Sequence, residues 1–119
     1  MTTQEIAKRL YELVREGDYF TAIDELFHAD AKALEPQLAE MGLAEVKGIE
    51  AIKKKVATMG QSVNMLLSRE MSTPIVAANH IAFTNIVAAE LKDGSTMSLS
   101  EICLYEVRGG KIISEQFFY

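Results

Sequence analysis

The feature that most limits what this chain can fold into is a change of hydrophobic period at Ser62. Before it, apolar residues recur at helical spacing. After it, extended runs alternate with turn dipeptides. Ile6, Leu10, Leu13 and Val14 make one stripe, with Thr2 and Glu5 at capping-box spacing and Gly17 where a helix should stop. Asp18 can cap a second helix carrying Ala22, Ile23, Leu26 and Phe27. "AKALEP" then reads as the start of a strand that places Glu35 just before Pro36. "QLAEMGLAEVKG" is too long for a tight turn, and its Leu38, Met41, Leu43 and Val46 should fold back onto an apolar surface. A third helix follows with Ile49, Ile52, Val56 and Met59 inward and Gly60 as its stop; Lys53-Lys54-Lys55 reads as its solvated face. Beyond Ser62, "VNMLLSREM" is interrupted at Thr73-Pro74, "HIAFTNIVAAEL" runs to Asp93-Gly94, "TMSLSEICLYEV" runs to Gly109-Gly110, and "KIISEQFFY" follows. Helices first and a meander after predict an α+β fold. Three N-terminal helices should pack on the concave face of a curved, mainly antiparallel sheet, in a single domain over residues 1–119.

Composition narrows the function. With 17 acidic and 12 basic residues the net charge is −5, which argues against nucleic acid as a partner, since phosphate backbones attract clustered Lys and Arg. Cys103 is the lone cysteine, so neither an intramolecular disulfide nor a cysteine-rich metal site can form. The two histidines are far apart and give no metal-ligand spacing, so neither metal nor cofactor is expected. No apolar run reaches membrane-spanning length, and "MTTQEIAKRL" lacks the core of a secretory signal. A cytoplasmic protein without membrane association is the expectation.

The hairpin turns decide which carboxylates face inward. A two-residue turn at Asp93-Gly94 would pair Lys92 with Ser95, placing Glu90 opposite Met97, Ile86 opposite Glu101, and Thr84 opposite Cys103. The odd residues of "TMSLSEICLYEV" are more apolar than the even ones, so Met97, Leu99, Glu101, Cys103 and Tyr105 should face the helices. A three-residue turn at Arg108 to Gly110 would add Ile113, Glu115, Phe117 and Tyr119. That face is apolar yet carries Glu90, Glu101 and Glu115. A packed core does not tolerate unpaired carboxylates, so these either sit at wet strand ends or line a cavity.

The order of helix, helix, strand ending in "EP", helix beginning "GIEAIKK", and a meander ending in "GGKIISEQFFY" resembles the ketosteroid isomerase and SnoaL-like superfamily, from about Leu10 to Tyr119. The resemblance implies a cone-shaped fold enclosing a deep pocket between helices and sheet. It puts Glu35 on the position of the isomerase's base, an Asp followed by Pro. The isomerase's two oxyanion donors, a Tyr and a protonated Asp, would fall on Leu10 and Cys103, so steroid isomerisation by the known mechanism is not expected. Tyr11 is adjacent but turned about 100° away.

A carboxylate at an apolar pocket mouth can move a proton near neutrality. The expected activity is therefore cofactor-free proton transfer (isomerisation, cyclisation or dehydration) on a carbonyl or polycyclic compound. Glu35 would be the base and Glu101 or Glu115, kept protonated, the hydrogen-bond donor. Leu10, Ile52 and Val56 from the helices would line the pocket, with Ile86, Leu99, Cys103, Phe117 and Tyr119 from the sheet. The rival readings are a ligand-binding module without chemistry and a dimerisation domain. His28 reads as a surface residue, His80 as a rim residue, and Cys103 as a small core hydrophobe. Ile81, Phe83, Val87, Leu91, Ile102, Leu104 and Phe118 are expected on the outer sheet face. A homodimer would cover that face.

Overall fold

The computed structural model describes all 119 residues. Helix α1 (Thr3–Arg15) starts at the anticipated capping box: Thr2 Oγ1 accepts from Glu5 N, and Glu5 Oε1 accepts from Thr2 N. Helix α2 (Tyr19–Leu26) is capped by Asp18, whose Oδ1 accepts from Thr21 N. Strand β1 (Phe27–Leu34) begins four residues before "AKALEP", so that stretch is the end of a strand and not its start. A 3-10 segment (Pro36–Met41) and strand β2 (Glu45–Lys47) occupy most of the folded-back region. Helix α3 (Ile49–Gly60) follows. The sheet is completed by β3 (Val63–Met71), β4 (Ile75–Ala77), β5 (His80–Leu91), β6 (Thr96–Arg108) and β7 (Lys111–Phe118).

The strand order is β2-β1-β7-β6-β5-β3, with β4 on β5. Every pairing is antiparallel except β1 with β7. The helices lie on one side of this curved, mainly antiparallel sheet, giving the anticipated α+β fold. Ile6, Leu10, Leu26, Ile52, Ile81 and Ile112 are fully buried between the two layers, each contributing roughly 1.5–3 kcal/mol through removal from water. Ala31 and Ala33, also buried, are small enough to let α3 approach β1 closely. Tyr105 stacks on Phe83 at 5.6 Å and meets Phe27 and Phe117 edge-on. No helix is long and apolar enough to cross a membrane.

The β5–β6 register departs from the expected one by a single residue. The turn holds three residues, Lys92 to Gly94. Leu91 N donates to Ser95 O, and Asp93 Oδ1 accepts from Ser95 N. Gly94 supplies the left-handed residue (φ 88°) that such a turn needs. Glu101 therefore faces Asn85, and Cys103 faces Phe83. The inward set of β6 is as anticipated, but every side chain of β5 is reversed, as a one-residue slip requires. Ile81 and Phe83 are buried, and Val87 and Leu91 share their face, so these four leave the predicted outer patch. Ile86 moves the other way and is 42% exposed, so it does not line the interior. Glu90 also faces outward, accepting from Asn64 Nδ2.

At the β6–β7 turn the opposite happens. Gly109 and Gly110, both with positive φ, form a two-residue turn that pairs Arg108 with Lys111. Ile112 then faces inward in place of the expected Ile113. A bulge at Ile113 shifts the phase, so Glu115 and Phe117 reach the inner face by a route the sequence reading did not foresee.

Candidate functional site

Successive rows of inward side chains cross the sheet from β1 to β5. One row pairs Ala33, Glu115, Tyr105 and Ile81. The next holds Phe117, Cys103 and Phe83, with Glu35 two residues beyond Ala33 at the end of β1. A third pairs Glu101 with Asn85 and Met71, with Tyr119 two residues beyond Phe117. Alternation, with the bulge at Ile113, thus brings Glu35, Glu101 and Glu115 onto one concave face, as the sequence suggested for the last two.

Glu35 follows β1 directly and is the N-cap of the 3-10 segment. Its backbone is fixed by Glu35 N donating to Ala44 O and by Leu38 N donating to Glu35 O. Its carboxylate is held from two sides: Lys55 Nζ lies 2.6 Å from Oε1, and Tyr119 Oη donates to Oε2. Gln37 Nε2 donates to Tyr119 O, tying the last residue to the same segment. Burial, then the Glu35 carboxylate, pushes the Tyr119 phenol upward, so it stays a donor.

Lys55 is a correction to the expected solvated face of α3. Its side chain is 5% exposed, and its ammonium sits 5.4 Å from the centre of the Phe117 ring. The signal was in the spacing: Lys55 follows Ile52 by three residues and directly precedes Val56, within the apolar stripe. Lys53 is half-buried against Asp24 of α2, and Lys54 is exposed.

Glu115 is 7% exposed, and burial pushes its carboxyl up to about 8 against the opposing pull of Lys55. It is neutral at pH 7, beside an ion-paired Glu35. Glu101 is half-buried and also raised by burial, while Asn85 Nδ2 and Cys103 Sγ donate to its Oε1 and hold it back. Cys103 is buried and its thiol pushed far upward by burial and by Glu101, which keeps it from acting as a thiolate. Leu10 and Ile52 are buried, Val56 and Phe117 pack on the core, Leu99 is half-buried on the inner face, and Tyr119 reaches solvent.

Asn85 and Arg69 escaped the sequence reading. Asn85 went unnoticed because the reversed register placed it outside; its Oδ1 is buried without a partner. Arg69 donates to Val14 O and lies over the Tyr19 ring, with its Nε unpartnered. His28 is exposed on β1, and His80 lies 3.6 Å from Glu106 at the sheet surface. No group of three or more His, Cys, Asp or Glu is gathered as a metal site would require. Two surface clefts, of about 380 and 430 Å³, are lined mainly by polar residues such as Asp30, Lys47 and Glu106 in one and Arg15 and Glu70 in the other. Neither contains Glu35, Glu101 or Glu115.

A helix-covered, curved sheet with polar groups clustered on its concave side defines a cone-shaped α+β class. Solved structures share the architecture. A protein named as a SnoaL-like polyketide cyclase from Mesorhizobium loti is 27% identical, with both chains fully covered and a TM-score of 0.86. An NTF2-like protein of unknown function from Burkholderia pseudomallei has a TM-score of 0.81 at 11% identity, covering 100% of this chain and 92% of that one. TerC, co-crystallised with polyporic acid, has a TM-score of 0.78 at 18% identity, covering 98% and 90%. The last two establish the fold alone. The SnoaL-like domain family model matches residues 1–119, and the chain belongs to that family. No curated protein matches it.

Proposed function

We propose that this SnoaL-like protein binds a small, largely apolar carbonyl or polycyclic compound on its concave face, with Glu35 as general base for cofactor-free isomerisation, cyclisation or dehydration. The observation that carries this reading is the division of charge between two neighbouring carboxyls. Glu35 is paired with an ammonium, while burial pushes the Glu115 carboxyl up to about 8 and so favours its protonated form at neutral pH. One group can accept a proton while the other donates a hydrogen bond or a proton. Val56, Leu99 and Phe117 would supply the apolar contact, in front of the buried Leu10 and Ile52, and Glu101, whose carboxyl burial pushes upward, a further polar group. The Mesorhizobium relative named as a polyketide cyclase and the TerC complex with polyporic acid favour a polycyclic or quinonoid ligand.

A homodimer through the outer sheet face belongs to the same proposal. Ile102 and Phe118 are cross-strand neighbours, each about half exposed, and Ile86 lies on the same face. A cytoplasmic setting suits the free thiol of Cys103.

The rival is a binding module without chemistry; that Lys55 and Glu115 are almost closed off from solvent, with the two clefts elsewhere, favours the third reading, a dimerisation domain. Deuterium exchange into an enolisable ketone decides between catalysis and the module. A base at Glu35 gives exchange that drops about 100-fold or more in Glu35→Gln. Apolar ligand binding without exchange supports the module.

A further inference from the structure

The donors around Glu35 can be counted one by one. The Tyr119 hydroxyl is committed to Glu35 Oε2, Asn85 Nδ2 and the Cys103 thiol to Glu101, and Gln37 Nε2 to Tyr119 O. Lys55 is different. Its ion pair with Glu35 is close, at 2.6 Å, but off the hydrogen-bond axis, so Nζ has no aligned acceptor in the protein although it carries three protons. An ammonium buried with undirected N–H groups is costly, and the face of Phe117 offsets only part of that cost. Arg69 also has an unpartnered Nε, but it is held over Tyr19 with its Nη1 donating to Val14 O, and Glu115, when neutral, carries no charge with which to balance an anion.

Charge movement gives those N–H groups a use. When a base takes a proton from carbon, negative charge leaves the base and appears on the substrate's oxygen. An ammonium within reach of both keeps the charge paired throughout, and a preorganised donor aimed at the developing anion is among the strongest catalytic devices. We propose that Lys55 is a catalytic residue of this site, holding the oxygen that becomes negative when Glu35 takes a proton from the carbon next to a ketone or enone carbonyl. The C–H bond breaks and its proton forms an O–H bond on Glu35. The electron pair becomes the C=C bond of an enolate, and the carbonyl π pair moves to oxygen, where an Nζ–H of Lys55 donates to it. Returning the proton to a different carbon completes an isomerisation. The substrates are therefore enolisable ketones and enones. This inference rests on the reading of Glu35 as base.

The test uses a stable enolate mimic, a hydroxynaphthoquinone anion, and its neutral methyl ether. Binding is measured to Glu35→Gln, in which residue 35 carries no charge, as Glu35 does once it holds the proton, and to the double variant Glu35→Gln/Lys55→Met. The double variant leaves no lone buried charge, and its melting curve verifies the fold. The expected result is anion binding about 10-fold or more tighter than the ether in Glu35→Gln, and equal affinities in the double variant. Equal binding of both probes to Glu35→Gln overturns the role of Lys55 while leaving the apolar-ligand reading intact; this arm needs no second substitution. An anion preference that survives loss of Lys55 overturns it as well. Binding of neither probe to Glu35→Gln overturns both it and the ligand reading.

Discussion

The concave side of this molecule contains two regions built on opposite principles. Around Ile6, Leu26 and Ile112, the packing is apolar and sealed, and burial yields stability directly. Around Glu35, Lys55, Asn85 and Glu115, polar groups are nearly as hidden, yet Lys55 Nζ and Asn85 Oδ1 lack aligned partners and burial pushes the Glu115 carboxyl up to about 8. Burial there is costly, so the second region lowers the stability that the first provides. Proteins keep such regions where chemistry requires them. The difference between the two turns the comparison into measurable consequences.

Breaking the polar region at one partner has the largest expected effect. Lys55→Met leaves the Glu35 carboxylate unpaired and is expected to cost about 3–5 kcal/mol. Adding Glu35→Gln should recover most of that loss, measured by denaturant unfolding. A double variant no more stable than the single one would mean that Lys55 works by packing. In the apolar region, Leu26→Ala opens a cavity and should cost about 2–5 kcal/mol, with no second-site rescue.

The pH response separates the two regions further. Glu115 has a folded value near 8 against an ordinary 4.5, so the folded state holds more protons than the unfolded state between those limits. Its contribution is fully retained below 4.5 and is lost as pH rises through 8. Glu115→Gln should flatten that decline, which is on the order of a few kcal/mol, with melting temperatures across the range as the check. A decline of unchanged slope in the variant would assign the effect to another group. Smaller still is the loss of the helix cap at the edge of the apolar region: Thr2→Ala removes the oxygen that accepts from Glu5 N and should cost about 0.5–2 kcal/mol. On the outer face, Ile102→Lys should barely change monomer stability, within about 0.5 kcal/mol. It should abolish a sheet-to-sheet dimer in sedimentation; an unchanged sedimentation coefficient would remove that interface.

The two regions also differed in how plainly the sequence announced them. Helix stripes, caps and the order of elements are local signals. Thr2, Glu5, Asp18 and the stripe of α1 therefore led correctly to the elements, and the switch of period at Ser62 led to the fold class. Facing depends on turns, where one residue reverses a strand. Asp93-Gly94 looked like a two-residue turn, but Lys92 joined it. The odd residues of β5, with Ile81 and Phe83 against Thr84 and Glu90, were the more apolar set and pointed to the true register. Glu115 reached its place through two departures that cancelled, a shorter turn and a bulge at Ile113. Lys55 was hidden by its neighbours: a run of three lysines reads as a wet face, although its spacing from Ile52 and Val56 puts only the third of them inside.

The claim at the centre is that a neutral carboxyl sits beside a charged pair in the interior. Carbon-13 NMR of labelled glutamate side chains, with Glu115→Gln to assign the signal, tests it most directly. The Glu115 carboxyl carbon is expected in its protonated state at neutral pH, titrating near 8. A Glu115 carbon already ionised at neutral pH would contradict it, because the two carboxyls would then share one charge state and the division of labour between them would be gone.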